Sequence, residues 1–336
     1  MRSSLLAARG AASVFCVVAS LLALLLCGAH AQAAGTPIPH GTLELIAEKP
    51  SIDLPKIDEQ PIDKQPTDKP GLAAGRTFDL GLHFQLEKGW HIYWINPGDS
   101  GEQPRVQWQL PAGLTAGEIQ WPTPKRLETS SIVDFGYEGD VLLIVPVRAD
   151  ARLAAQVTAR IGVEVRLLVC SHEMCVPGKA ELSLTLPIKS QPPASDPNTV
   201  GLFAATRKSL PRPAPRDWKF SVSDAKDSFV LTAKLGHPIA AQQITQAFFF
   251  PLAESQIENA APQKLQTTPI GLRLTLKKSD RLLHPIDHLK GVLVISSLLV
   301  SSNVRRFFED SFMIDAPIGK SVVPRGNSAS AIRAVQ

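Results

Sequence analysis

The chain has 336 residues, with 35 Lys and Arg against 31 Asp and Glu and a formal charge of +4. So small a basic excess leaves no electrostatic footprint for nucleic acid, and none is expected as a partner. Beyond residue 31 the longest apolar stretch, Gly291 to Val300, is half of the roughly 20 residues that a bilayer span requires.

Arg2 and Arg9 precede an apolar run from Ala11 to Leu26, and Ala29-His30-Ala31 supplies a small-x-small cleavage pattern. Residues 1–31 therefore read as a secretory signal peptide, which makes the mature protein soluble and exported. Cys16 and Cys27 lie in that segment and leave with it. The bulky Leu26 argues against a lipoprotein signal at Cys27.

Period-two runs follow. Thr42–Ala47, Phe78–Leu86, Val141–Val147, Val163–Val169 and Glu181–Leu186 alternate or form short apolar runs bounded by Gly, Pro or Asp. With no long amphipathic helix between them, they predict an antiparallel β-sandwich over residues 38–189. Inside it, Pro55–Pro70 repeats Pro, Asp and Lys without aromatics and reads as a solvated loop.

Residues 190–216 are rich in proline and poor in core formers, which predicts a linker. Strand-like runs at Trp218–Val222, Phe229–Ala233, Ala247–Phe250, Leu272–Leu276 and Val292–Ile295 then predict a second β-sandwich over 217–316. The fold class is all-β, with two sandwiches and a disordered tail at 317–336.

The two remaining cysteines, Cys170 and Cys175, flank Ser171-His172-Glu173-Met174 between two strand-like runs. Val163, Val165, Leu167 and Val169 share one face, so Cys170 points away from the main apolar stripe, at a strand end. If residues 171–174 turn, the cysteines become opposed residues about 4.5–5.5 Å apart, close enough for a disulfide. A six-residue loop restrains the unfolded chain by only about 2 kcal/mol, so stability is a weak reason for the pair. Three readings stay open at this point: thiol–disulfide exchange, which leads; a structural clip in a non-enzymatic binding module; and Cu(I) ligation by Cys170, His172, Met174 and Cys175, as in a copper-tolerance protein. No other metal or cofactor is expected. No Gly-rich phosphate loop or nucleophile elbow is present.

Trp90-His91-Ile92-Tyr93-Trp94-Ile95-Asn96-Pro97-Gly98-Asp99-Ser100-Gly101, Ile119-Gln120-Trp121-Pro122-Thr123-Pro124, Phe135-Gly136-Tyr137-Glu138-Gly139-Asp140-Val141 and the cysteine segment through Gly178 occur in that order over about 90 residues. Together they resemble the N-terminal, alpha-type domain of the DsbD and ScsB family of thiol:disulfide interchange proteins. Phe248-Phe249-Phe250-Pro251 and Ile257-Glu258-Asn259-Ala260-Ala261-Pro262-Gln263 resemble the segment that follows it in the ScsB-like branch.

The resemblance implies an immunoglobulin-like first domain. It also implies a Cys170/Cys175 dithiol–disulfide that carries reducing equivalents, as part of a protein-disulfide reductase system of the kind linked to cytochrome c biogenesis. The implied partners are a membrane-embedded DsbD-like electron transporter and periplasmic thioredoxin-like or disulfide isomerase proteins. Cys170 is favoured for the partner bond on these grounds. The family's aromatic cap maps onto Asp134-Phe135-Gly136-Tyr137-Glu138, so Phe135 or Tyr137 would cover the sulfurs and Asp134 would tune their proton affinity. The chain departs from the family in lacking a membrane domain, a thioredoxin-like domain and a Cys-x-x-Cys motif. Trp90, Tyr93 and Trp94 read as core aromatics, Asn96–Asp99 as a tight turn, and His91 receives no catalytic role.

Overall fold

The computed structural model describes residues 35–53, 76–129, 132–150, 152–153, 156–189, 194–236, 243–301 and 304–319. The expected signal peptide, the stretch 55–70 and the end of the tail, 320–336, lie outside the described residues.

Two sheets build the first sandwich. One has the order β1 (Thr36–Ile38), β2 (Gly41–Ala47), β4 (Arg76–Leu86), β10 (Asp140–Ala149) and β7 (Leu114–Ala116). The other runs β3 (Ile52–Asp53), β12 (Cys175–Lys189), β11 (Thr158–Cys170), β5 (His91–Gly98), β9 (Ile132–Glu138) and β8 (Lys125–Thr129), with β6 (Arg105–Gln109) also paired to β11. The cause is the alternation in the sequence. Phe78, Leu80, Leu82, Phe84 and Leu86 of β4 enter one core with Val141, Leu143, Val145 and Val147 of β10. From the opposite sheet Ile161, Val163, Val165, Leu167 and Val169 meet them there. A one-residue slip would turn each of these sets to solvent, so the core also fixes register.

The second sandwich is one eight-stranded sheet folded over on itself. Its order is β16 (Ile244–Pro251), β19 (His288–Ser301), β20 (Val304–Gly319), β14 (Lys219–Asp224), β15 (Ser228–Lys234), β18 (Gly271–Lys277) and β17 (Lys264–Thr268), with β13 (Arg212–Pro213) also on β20. The long β20 makes the fold-over. It pairs antiparallel with β19 from Val304 to Pro317, then in parallel with β14 at Ile318 and Gly319. Val222, Phe229, Leu231 and Leu274 from one half thereby meet Phe249, Leu293, Ile295 and Phe312 from the other in a second core. Residues 317–319, expected to belong to a disordered tail, complete this strand instead.

The two sandwiches are joined by apolar packing. In Phe248-Phe249-Phe250 the middle ring enters the second core while its neighbours face the first. Phe250 lies edge-on to Phe135 with centroids 5.0 Å apart, and edge-on to Trp94 at 6.2 Å.

The segment expected to be a linker, 190–216, differs from that reading. It contains a helix, α1 (Pro197–Ser209), capped by Asp196, whose carboxylate accepts from the Asn198 and Thr199 amides. Phe203 is fully buried against Leu142 and Ile144 on the outside of the first sheet. That side chain alone contributes about 1.5–3 kcal/mol of burial. Arg207 adds ion pairs to Glu48 at 2.6 Å and Asp79 at 2.6 Å. The helix buries too narrow a stripe for the 3.6-residue period to show in the sequence.

Candidate functional site: a disulfide at a strand end

Strands β11 and β12 form a hairpin whose last rung pairs Cys170 with Cys175. The two are joined by a disulfide, with Cα atoms 4.0 Å apart. Ser171 closes the turn: its amide donates to the Met174 carbonyl at 2.8 Å, and its Oγ accepts from the amides of Glu173 at 3.2 Å and Met174 at 3.3 Å.

The sulfurs are in unlike surroundings. Cys170 is only 1% exposed, whereas Cys175 is exposed. Cys170 lies on the outer face of the sheet, as its position in the alternation requires, and is covered there. The rung that joins β11 to β5 pairs it with His91. His91 is itself buried and packs edge-on to Tyr93, with ring centroids 5.1 Å apart. Tyr93 is fully buried, and its hydroxyl lies 3.7 Å from Cys175 Sγ.

Over Tyr93 passes the segment Gly98–Gly101. Gly101 has φ +76°, and a Cβ there would fall 2.1 Å from Tyr93 Cζ, so only glycine lets the backbone lie on the ring. Ser100 ties this segment to β9. Its amide donates to Asp134 Oδ1 at 3.0 Å and its hydroxyl to Oδ2 at 2.9 Å. Asp134 Oδ2 is also 3.9 Å from His91 Nε2, a buried atom with no hydrogen-bond partner.

Burial dominates the electrostatics. It raises the Asp134 carboxyl above its ordinary value, against the opposing hydrogen bonds from Ser100. It pushes Tyr93 up to about 12, with the Asp134 charge adding to the shift and a hydrogen bond from Ser100 opposing it. It lowers His91, with His172 adding to the shift and Glu138 opposing it. At neutral pH, His91 is therefore an uncharged imidazole beside the buried sulfur.

The structure does not bring Phe135 and Tyr137 to the disulfide. Both belong to the first core, on the face of β9 opposite to Asp134 and Glu138. Tyr137 donates its hydroxyl to the Pro122 carbonyl at 2.7 Å. Alternation along a strand separates the expected cap residues: only Asp134 shares the face of the sulfurs. Tyr93 takes the place expected of the aromatic cap, and His91, given no role from sequence, is the residue opposite Cys170. No local motif reveals either one, because the rung between β5 and β11 spans almost 80 residues of chain. Among the remaining aromatics, Trp94 is in the core and Trp90 stacks on His40 at 3.5 Å. His172 and Met174 are exposed on the turn. Among the described residues, no group of three or more His, Cys, Asp and Glu is placed to hold a metal ion.

Residues 59–187 match the family model described as thiol:disulfide interchange protein DsbD, N-terminal. This stretch is similar to the N-terminal domain of the DsbD family. The DsbD-type domain accordingly includes both cysteines and the residues around them. The N-terminal periplasmic domain of ScsB from Proteus mirabilis is similar in fold over both sandwiches, with a TM-score of 0.51 and 16% identity. The match covers 81% of this chain and 93% of that one. No curated protein matches the chain. Among the described residues, no helix is long and apolar enough to cross a membrane. The DsbD-type stretch is thus a thiol:disulfide interchange module built around a Cys170–Cys175 disulfide.

Proposed function

We propose that this protein works in the periplasm, where the Cys170–Cys175 pair passes reducing equivalents from a membrane-embedded DsbD-like transporter to thioredoxin-like or disulfide isomerase proteins. The observation that carries the reading is the asymmetry of the bridge: Cys175 is exposed and Cys170 is sealed. A structural clip gains nothing from such an arrangement. An exchange site gains a single point of attack.

The step follows from that geometry. A thiolate of the reduced donor attacks Cys175 Sγ, the bond to Cys170 breaks, and its electron pair leaves on Cys170 Sγ. Thiolate in so buried a setting is disfavoured, so Cys170 takes up a proton. The donor's second thiolate then attacks its own sulfur in the mixed disulfide and releases Cys175. The donor ends as a disulfide and this protein as a dithiol. The same steps in reverse reduce the acceptor. This assigns the partner bond to Cys175, whereas the family resemblance favours Cys170; accessibility is the reason for the change.

Trapping tests the proposal. The Cys170→Ser variant should accumulate mixed disulfides with exported thioredoxin-like proteins through Cys175, and Cys175→Ser should accumulate far fewer. If neither variant gives adducts, the exchange role is wrong.

A further inference from the structure

Asn259 lies in the second sandwich but is hydrogen-bonded to the first. It is 5% exposed, and its Nδ2 donates to Asp99 Oδ1 at 2.9 Å. The other oxygen of Asp99 accepts from the Val133 amide at 2.7 Å, and the Asp99 amide donates to the Val133 carbonyl at 3.0 Å. Asp99 is therefore held on three sides at the point where the chain leaves β5. One residue later Ser100 bonds to Asp134, and one more brings Gly101 onto the Tyr93 ring. Tyr93 in turn touches Cys175 and packs on His91, the residue opposite Cys170.

A second anchor lies just upstream. Asn96 is 1% exposed, and its Nδ2 donates to the carbonyls of Pro251 at 2.8 Å and Ala253 at 3.2 Å, both in the second sandwich. Its Oδ1 accepts from the Gly98 amide at 3.0 Å. The segment over Tyr93 thus starts from two side chains that each also bond to the other sandwich. The amides of Asn96 and Asn259 are buried and costly to leave unpaired, so these bonds hold the segment in one position.

We infer that Asn259 and Asp99 are positioning residues: the second sandwich uses them to keep the Gly98–Gly101 segment over Tyr93, which seals Cys170 and leaves Cys175 as the point of entry. This rests on the exchange reading above and gives the second sandwich a part in it. The partner side of the reaction is untouched by the latch. What the latch sets is which sulfur an incoming thiolate or electrophile can reach.

Iodoacetamide labelling of the full chain, read at each cysteine by peptide mass spectrometry, tests this without any protein partner. In a Cys175→Ser background, Cys170 should label slowly. Adding Asn259→Asp removes the amide donor and sets two carboxylates against each other, and Cys170 should then label roughly fivefold faster, the scale of one buried hydrogen bond. Exchanging the pair, Asp99→Asn with Asn259→Asp, restores an amide–carboxylate bond and should return the slow rate, as coupling between two contacting side chains requires. In a Cys170→Ser background, Asn259→Asp should leave Cys175 labelling unchanged. The inference is overturned if Asn259→Asp leaves Cys170 as slow as before, if the exchanged pair labels as fast as Asn259→Asp alone, or if Cys175 accelerates in parallel. Loss of the exchange reading would show instead in the absence of trapped adducts, while this labelling pattern would stand.

Discussion

The Tyr93 hydroxyl lies 3.7 Å from Cys175 Sγ, so a fully buried ring touches the exposed half of the disulfide. Tyr93 lies on the outer face of its strand, where solvent would be expected. The glycine backbone folded over it makes the difference.

That burial is directly measurable, because Tyr93 and Tyr137 are the two tyrosines of the whole sequence. Burial raises the first to about 12 and the second well above its ordinary value of 10.0. The ultraviolet absorbance of the folded protein should therefore show no tyrosinate at pH 10. Both tyrosines should ionise near their ordinary value once the protein is unfolded in guanidinium. A folded protein with one tyrosine half-ionised at pH 10 would mean that Tyr93 is open to water and that the Gly98–Gly101 segment does not cover its ring.

His91 gives a second pH signature. Its folded-state pKa lies below the unfolded value of 6.5, with burial the largest cause. Below pH 6.5 the unfolded chain takes up a proton at this position that the folded chain refuses. The folded state therefore loses stability as pH falls from 6.5 towards the lowered value, and the residue contributes nothing to pH dependence well above 6.5. Urea midpoints of the wild type and His91→Gln between pH 5 and 8 should show a wild-type-minus-variant difference that falls below pH 6.5 and is flat above it. A flat difference throughout would place His91 in solvent.

Strand positions were legible because β4 and most of β11 alternate and β10 is a short apolar run buried on both faces, and these patterns survive without knowledge of partners. The opposition of Cys170 and Cys175 was legible for the same reason, since a four-residue turn between two strands leaves little choice. The neighbours of the disulfide were not. His91 and Tyr93 reach it through a sheet pairing distant in sequence, and the Asn259–Asp99 bond spans 160 residues. Helix α1 is hidden in the sequence because Phe203 is almost its whole buried face, and proline around it gives the stronger local signal. Motif order points to Phe135 and Tyr137 as the cap, whereas alternation along β9 sends Asp134 to one face and both rings to the other.

Arg207 offers a test of the helix that the sequence concealed. It bridges Glu48 and Asp79 from the end of α1, and the hydrogen bond from Arg207 is the largest cause of the lowered Glu48 pKa. Because that carboxylate is favoured in the folded state, its contribution is present above its ordinary value of 4.5 and is lost as pH falls through the lowered one. Arg207→Ala should lower the urea midpoint at pH 7 and do so less at pH 3, with a loss at pH 7 of about 1 kcal/mol for a half-exposed pair. An equal loss at both pH values would mean that the side chain acts through packing on Phe203 instead.

Phe135 decides between the two places proposed for the aromatic cap. In the structure it is fully buried in the first core and lies edge-on to Phe250 of the second sandwich. Phe135→Ala should therefore destabilise the protein by about 3–5 kcal/mol, the usual cost of removing a core ring. Phe250→Ala should cost a similar amount, and the double variant less than their sum, because the rings share a contact worth about 0.5–1.5 kcal/mol. At temperatures where Phe135→Ala is still folded, Cys170 in a Cys175→Ser background should label no faster than in its parent. A ring that capped the sulfurs would give the reverse: little loss of stability and a large rise in labelling.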